Sequence, residues 1–181
     1  HRMPCVILRT SRFFPEEDDD RTRRDAFAAD NSKLNELLYR RADIADMVSA
    51  HLAAIREAPR LRFARFIISA SSPFRPEDAA ELGRDAPAVL RRYFPGYEAL
   101  YGPRGWRMFE RIDRVYDSGA ACRELAWEPE FTFARGLADL EAGRELGSDL
   151  ARLVGSKGYH GRSFDDGPFP VEPDPGPLRA P

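Results

Sequence analysis

CVILRTSRFFPEEDDD, residues 5–20, is the stretch on which the reading of the fold turns. Cys5-Val6-Ile7-Leu8 is an unbroken apolar run, bounded by Pro4 on one side and by Arg9 and Arg12 on the other. A short β-branched run without polar alternation is the pattern of a strand covered on both faces, as in a parallel sheet. Residues 4–9 are therefore expected to form a fully buried strand. Such a strand lies among other strands, yet the chain starts at His1, without an initiating Met, and only four residues precede the run. The charges that follow, Glu16 to Asp20 and then Arg21, Arg23 and Arg24, read as a solvated loop.

Outward from this strand, the clearest helix begins after Asp43. Ile44, Met47, Val48, Leu52 and Ile55 fall at helical spacing and form one apolar stripe, with Asp43 as N-cap and Pro59 ending the pattern. Phe63–Ala70 is strand-like. Pro76 opens a short helix that Gly83 closes, and Asp85-Ala86-Pro87 starts another with Val89, Leu90 and Tyr93 on its apolar face. Residues 94–109 read as an aromatic, Gly/Pro-rich loop, and Arg111–Tyr116 as a short strand. Asp117 or Ser118 caps a helix running to Leu125. Thr132 caps one carrying Phe133, Leu137 and Leu140, and Ser148 caps a last short one. From Asp165 onward, proline is too frequent for a packed element. This order predicts an α/β protein with a helix-rich half.

The totals narrow the class. The chain's 181 residues suffice for one domain with a real core. A formal charge of −2 excludes a generic nucleic-acid-binding surface, and the absence of any 18-residue apolar stretch excludes a membrane-spanning segment. Cys5 and Cys122 have no CxxC spacing and no clustered His, which argues for a reducing cytoplasm and against a zinc or disulfide framework.

Several segments, in order, resemble the C-terminal half of the extended short-chain dehydrogenase/reductases, the NAD-dependent epimerase/dehydratase family. VILRTSRFFP resembles that family's late Rossmann strand, RRADIADMVSAHLAA its "V-x-D-V-A" strand end and helix. YDSGAACRELAWEPEFTF resembles its "D-x-S-K-A … L-G-W-x-P" stretch, and FARGLADL its terminal helix. The resemblance covers roughly residues 5–140. It implies the C-terminal portion of a Rossmann-like NAD(P)-binding fold with a helix-rich substrate-binding subdomain over residues 1–147. A C-terminal helix and loop (148–164) and a Pro-rich tail (165–181) would follow. The opening strand is then expected to be an interior strand of a longer protein, of which this chain is a fragment. No Tyr here has a Lys four residues on, and no Gly-rich turn follows an N-terminal strand. Gly155, Gly158 and Gly161 have fingerprint-like spacing, but a helix precedes them and prolines follow, so they do not meet the mechanism. The chain alone is thus expected to be inactive, while the parent uses NAD or NADP, acts on a small molecule such as a sugar nucleotide, and is a cytoplasmic homodimer. Alternatives are an NADPH-dependent reductase of a non-nucleotide carbonyl substrate and a non-catalytic binding domain.

The resemblance also assigns residues. Thr10 and Ser11 fall where the family brings strand-end backbone to the nicotinamide carboxamide, although their hydroxyls would equally satisfy the strand end. Arg12 stands where the family has a substrate-contacting Asn, and a guanidinium there would pair with a carboxylate or phosphate. Its plainer reading is a surface Arg answering Glu16 and Glu17. Arg107 falls where sugar-nucleotide epimerases place a phosphate-binding Arg, with Arg104 competing. Trp106 and Tyr101 read as core aromatics before ligand platforms. His51 reads as a partly buried, hydrogen-bonded histidine and Trp127 as a packing residue. Ala126 replaces a Gly, at a cost of roughly 1 kcal/mol if its φ is positive.

Overall fold

The computed structural model describes residues 3–13 and 21–155. The chain is mixed α/β, with short parallel strands and a majority of helix. β1 (Cys5–Thr10) pairs in parallel with β4 (Phe63–Ile68), with Cys5 opposite Phe63 and Thr10 opposite Ile68. β2 (Arg12–Phe13) pairs in parallel with β3 (Arg41–Ala42). Between these pairs lie α1 (Arg21–Ala26), α2 (Ala29–Leu37) and the long α3 (Ile44–Leu61). After β4 come α4 (Ala79–Leu82), entered through a 3-10 turn at Pro76–Asp78, then α5 (Ala86–Tyr93) and α6 (Tyr97–Tyr101). α7 (Gly119–Leu125), α8 (Phe133–Glu141) and α9 (Asp149–Val154) complete the order among the described residues.

The local stops and starts follow from side chains beside the backbone. Asp43, Asp85, Thr132 and Ser148 each accept a first-turn N–H, from Ala45, Ala88, Arg135 and Ala151 respectively. Ser118 caps α7 without a side-chain bond, and the Asp117 carboxylate instead accepts from the Gly119 N–H at 2.7 Å. Ala126 does adopt the left-handed conformation, φ 46°, so the side chain there carries the cost attached to a non-glycine residue in that region.

Six expectations need correction. β1 is not fully buried: exposure alternates along it, and Ile7 is 41 % exposed, because α3 covers one face and the other faces outward. The predicted stripe of α3 divides. Met47 is buried with Ala50, Ala53 and Ala54, whereas Val48, Leu52 and Ile55 are 46, 61 and 71 % exposed. The helix turns its small residues to the sheet, where close approach is possible, and His51 goes outward with the large ones, bonding the Met47 carbonyl through Nδ1 at 2.7 Å. Pro59 does not end α3, which runs two residues further to Leu61, since a proline in the last turn removes only one hydrogen bond. Arg21–Ala26 is helical rather than a loop, while residues 14–20 lie outside the described residues. Arg111–Tyr116 is irregular because its amides serve separate elements, Ile112 donating to Leu82 and Tyr116 to Tyr39. Within the expected 94–109 loop, Gly96 at φ 86° turns the chain into α6, a five-residue helix too short to show a period.

Two apolar clusters result among the described residues. The larger joins α2, α4–α6, α8 and residues 108–112, with edge-to-face pairs Phe94–Phe133, Tyr97–Tyr101 and Tyr101–Trp106. The smaller lies among β1, β4, α3 and α7 and includes Trp127, whose indole donates to Ser49 Oγ at 2.8 Å. α9 packs on α3, and Ala151 joins the larger cluster.

Candidate functional site

Because β1 and β4 are parallel, their carboxyl ends emerge on one side, which is where open parallel sheets receive ligands. Thr10 ends β1 and is exposed. Ser11 is buried; its amide donates to the Ile68 carbonyl at 2.9 Å and its hydroxyl to the Arg12 carbonyl at 3.2 Å. The hydroxyl thus satisfies the strand end. Arg12 lies half-buried in β2, opposite Arg41.

Behind Arg12 stands a charge cluster that sequence reasoning missed. Glu36, on α2, has no exposed surface, and its Oε2 accepts from Arg41 Nε at 2.8 Å. Arg40 Nε reaches the other oxygen at 2.9 Å, and Arg23 Nη1 stands 4.0 Å from it while donating to the Tyr39 hydroxyl at 3.2 Å. Arg41 also donates to the Phe13 carbonyl at 3.0 Å, so the cluster spans α2, β3 and β2. Burial pushes the Glu36 pKa upward, but the Arg41, Arg40 and Arg12 guanidinia outweigh it and hold the carboxyl below its ordinary range. The only sequence signal was helical spacing: Glu36 and Arg40 are one turn apart.

A crevice of about 470 Å³ opens where the chain leaves β4. Ser71–Arg75 and α4 form one wall; residues 112–119 and Cys122 form the other. The Ile112 amide, donating to Leu82 at 2.9 Å, fastens the walls together at the floor. On the rim, Arg114 pairs with Asp113 at 2.7 Å, which lowers the Asp113 pKa. Burial pushes the Cys122 thiol up, so it remains protonated at neutral pH. Ala70, the residue before this wall, donates its amide to the Arg41 carbonyl of β3 at 2.9 Å. A run of Ser, Pro and Arg directly after a strand was the available sequence cue.

Arg107 stands elsewhere. It lines a separate groove of about 320 Å³ with Arg23 and Arg111, and this groove shares no lining residue with the crevice. Its guanidinium stacks 4.8 Å above the Phe27 ring, as that of Arg23 stacks 4.4 Å above Phe109, and the two rings meet edge-on at 4.8 Å. The Arg107 main chain is fixed by Asn31 and Asn35, whose amides both donate to its carbonyl. Arg104 is committed to the Leu100 and Leu140 carbonyls. Tyr101 is buried and donates to Asn35 Oδ1 at 2.8 Å, a core role. Asp43 is a cap with further duties, its carboxylate also accepting the Ser148 amide and hydroxyl. Gly158, Gly161 and the residues from Asp165 onward lie outside the described residues.

Both cysteines are free, and no helix of the described residues is long and apolar enough to cross a membrane. No family model matches the chain, and no curated protein or solved structure matches it.

Proposed function

We propose that this chain is the substrate-side part of an NAD(P)-linked protein akin to the epimerase/dehydratases, completing a Rossmann-like fold. The observation that carries the reading is the parallel register of β1 and β4, which brings Thr10 out at the same sheet edge as Ile68, from which the chain runs on to the crevice wall at Ser71. Bound NAD or NADP would supply the hydride chemistry, and the chain would position substrate against it. The Ser11 amide is engaged by Ile68, so contact with a cofactor carboxamide falls to a main-chain carbonyl of Thr10 or Ser11. Arg12, in the field of Glu36, is the group for an anionic substrate, and Arg107 serves an anion from its own groove. A sugar nucleotide is one substrate of this chemistry. The apolar floor of the crevice favours the second reading, a reductase of a non-nucleotide carbonyl compound. The parent is a cytoplasmic homodimer in either case.

The test uses the protein encoded by the whole reading frame that contains this sequence. NADH or NADPH at a hundred times its Kd is expected to stabilise it by about 2.7 kcal/mol. Arg12→Gln should weaken an anionic substrate while leaving cofactor binding intact. Silence with both cofactors would remove the reading.

A further inference from the structure

The crevice beyond β4 carries its own statement about ligand chemistry. Its floor is apolar, made by Leu82, Ile112 and Cys122, and Phe74 forms an aromatic side wall. That ring is held edge-on against Tyr93 at 5.7 Å, and the Tyr93 hydroxyl in turn donates to Asp78. The Arg75 amide donates to the same carboxylate at 2.9 Å, so the backbone that carries Arg75 is braced at the mouth.

The charges on the lining are unevenly committed. Asp113 and Arg114 neutralise each other through two hydrogen bonds, at 2.7 and 3.0 Å. Asp117 accepts the Gly119 amide at 2.7 Å. The Arg75 guanidinium makes no ion pair among the described residues. One uncommitted cation on a lining whose other guanidinium, that of Arg114, is already paired suits a single negative charge. A diphosphate would bring two negative charges to a lining with only one free guanidinium, and its desolvation would gain nothing from the apolar floor.

We propose that this crevice binds a compact amphipathic carboxylate, its apolar or aromatic body on Leu82 and Ile112 beside Phe74 and its carboxylate on Arg75. The inference rests on taking the crevice as the substrate side and selects the non-nucleotide class of substrate for it.

The probes are 3-phenylpropanoate, its neutral amide 3-phenylpropanamide, and UDP-glucose, titrated against the full chain by ligand-observed NMR and thermal unfolding. The carboxylate should bind at least about tenfold tighter than the amide, the difference expected of one charge-assisted pair. Arg75→Gln, at an exposed position, should bring the two affinities together. Arg114→Gln should leave the preference in place, because Arg114 is already spent on Asp113. A preference that survives Arg75→Gln, or equal binding of acid and amide to the native chain, overturns the proposal. So does binding of UDP-glucose with none of the carboxylate, although that result leaves the NAD(P)-linked reading standing. Binding of none of the three overturns the crevice as a ligand site, whereas the cofactor titration of the parent tests the wider reading independently.

Discussion

The helical region around α2, α5, α6 and α8 and the layer formed by β1, β4 and α3 solve the same problem in opposite ways. In the helical region the large apolar side chains point inward, and Phe94 meets Phe133 of α8 edge-to-face, as Tyr97 meets Tyr101 within α6. In the strand layer the inward face of the helix is alanine and methionine, while Val48, Leu52, Ile55, Ile7 and Phe63 stand exposed. Small residues let a helix lie close to a sheet, but they bury little apolar area per residue. The helical region therefore carries its own core. The strand layer depends on being joined to it, and two buried carboxylates make the joint. Glu36 ties α2 to β3 and, through Arg41, to β2. Asp46 ties α3 to the segment before α8, accepting the Glu130 amide at 2.8 Å and the Phe131 amide at 3.0 Å.

The sharpest way to break this division is to remove the first joint. Glu36→Leu removes the carboxylate that accepts from Nε of the Arg41 guanidinium, which is 1 % exposed, and should cost about 3–5 kcal/mol in urea unfolding. A loss under about 1 kcal/mol would mean that the two regions are not tied there.

The second joint has a pH signature. Burial raises the Asp46 carboxyl from 3.8 to about 6, against the lowering effect of its two amide donors, with Asp43 and Glu130 adding to the rise. A carboxyl whose folded pKa is raised contributes most below its unfolded value and loses that contribution as pH climbs through 6. Glu36 has the reverse sign and acts only below its ordinary range near 4.5, outside the window. Stability should therefore fall by about 1–2 kcal/mol between pH 5 and pH 8 through Asp46, and Asp46→Asn should flatten that slope. An unchanged slope in the variant would refute the assignment.

The smallest effect sharpens the contrast most. Replacing Val48, Leu52 and Ile55 together by Gln, a good helix former, should change stability by no more than about 0.5 kcal/mol per site. The same replacement should lower self-association at high concentration, read by light scattering, because contiguous exposed apolar surface promotes contact between molecules. A large loss of stability would mean that the stripe is covered within the chain.

Much of the local architecture was legible in the residues. Asp43, Asp85, Thr132 and Ser148 announce helix starts because a cap acts within three residues of itself. The positive φ at Ala126 was legible as a condition, since only a family pattern pointed to a glycine there. The outward turn of the α3 stripe was not legible, because periodicity shows that apolar residues share a face without showing which face meets the sheet. Nor was the separation of Arg12 from Arg107, which the fold assigns to the strand end and to a groove beside Phe27.

The amino-acid order by itself thus determined the element boundaries that short-range hydrogen bonding controls, and the mixed α/β character that follows from them. Only the tertiary structure decided which carboxylates became buried partners and where a crevice opened. Asp43 meets Ser148 across 105 positions and Asp46 meets Phe131 across 85. Contacts of that span exist only once packing has brought distant segments together, and no window along the chain contains both ends.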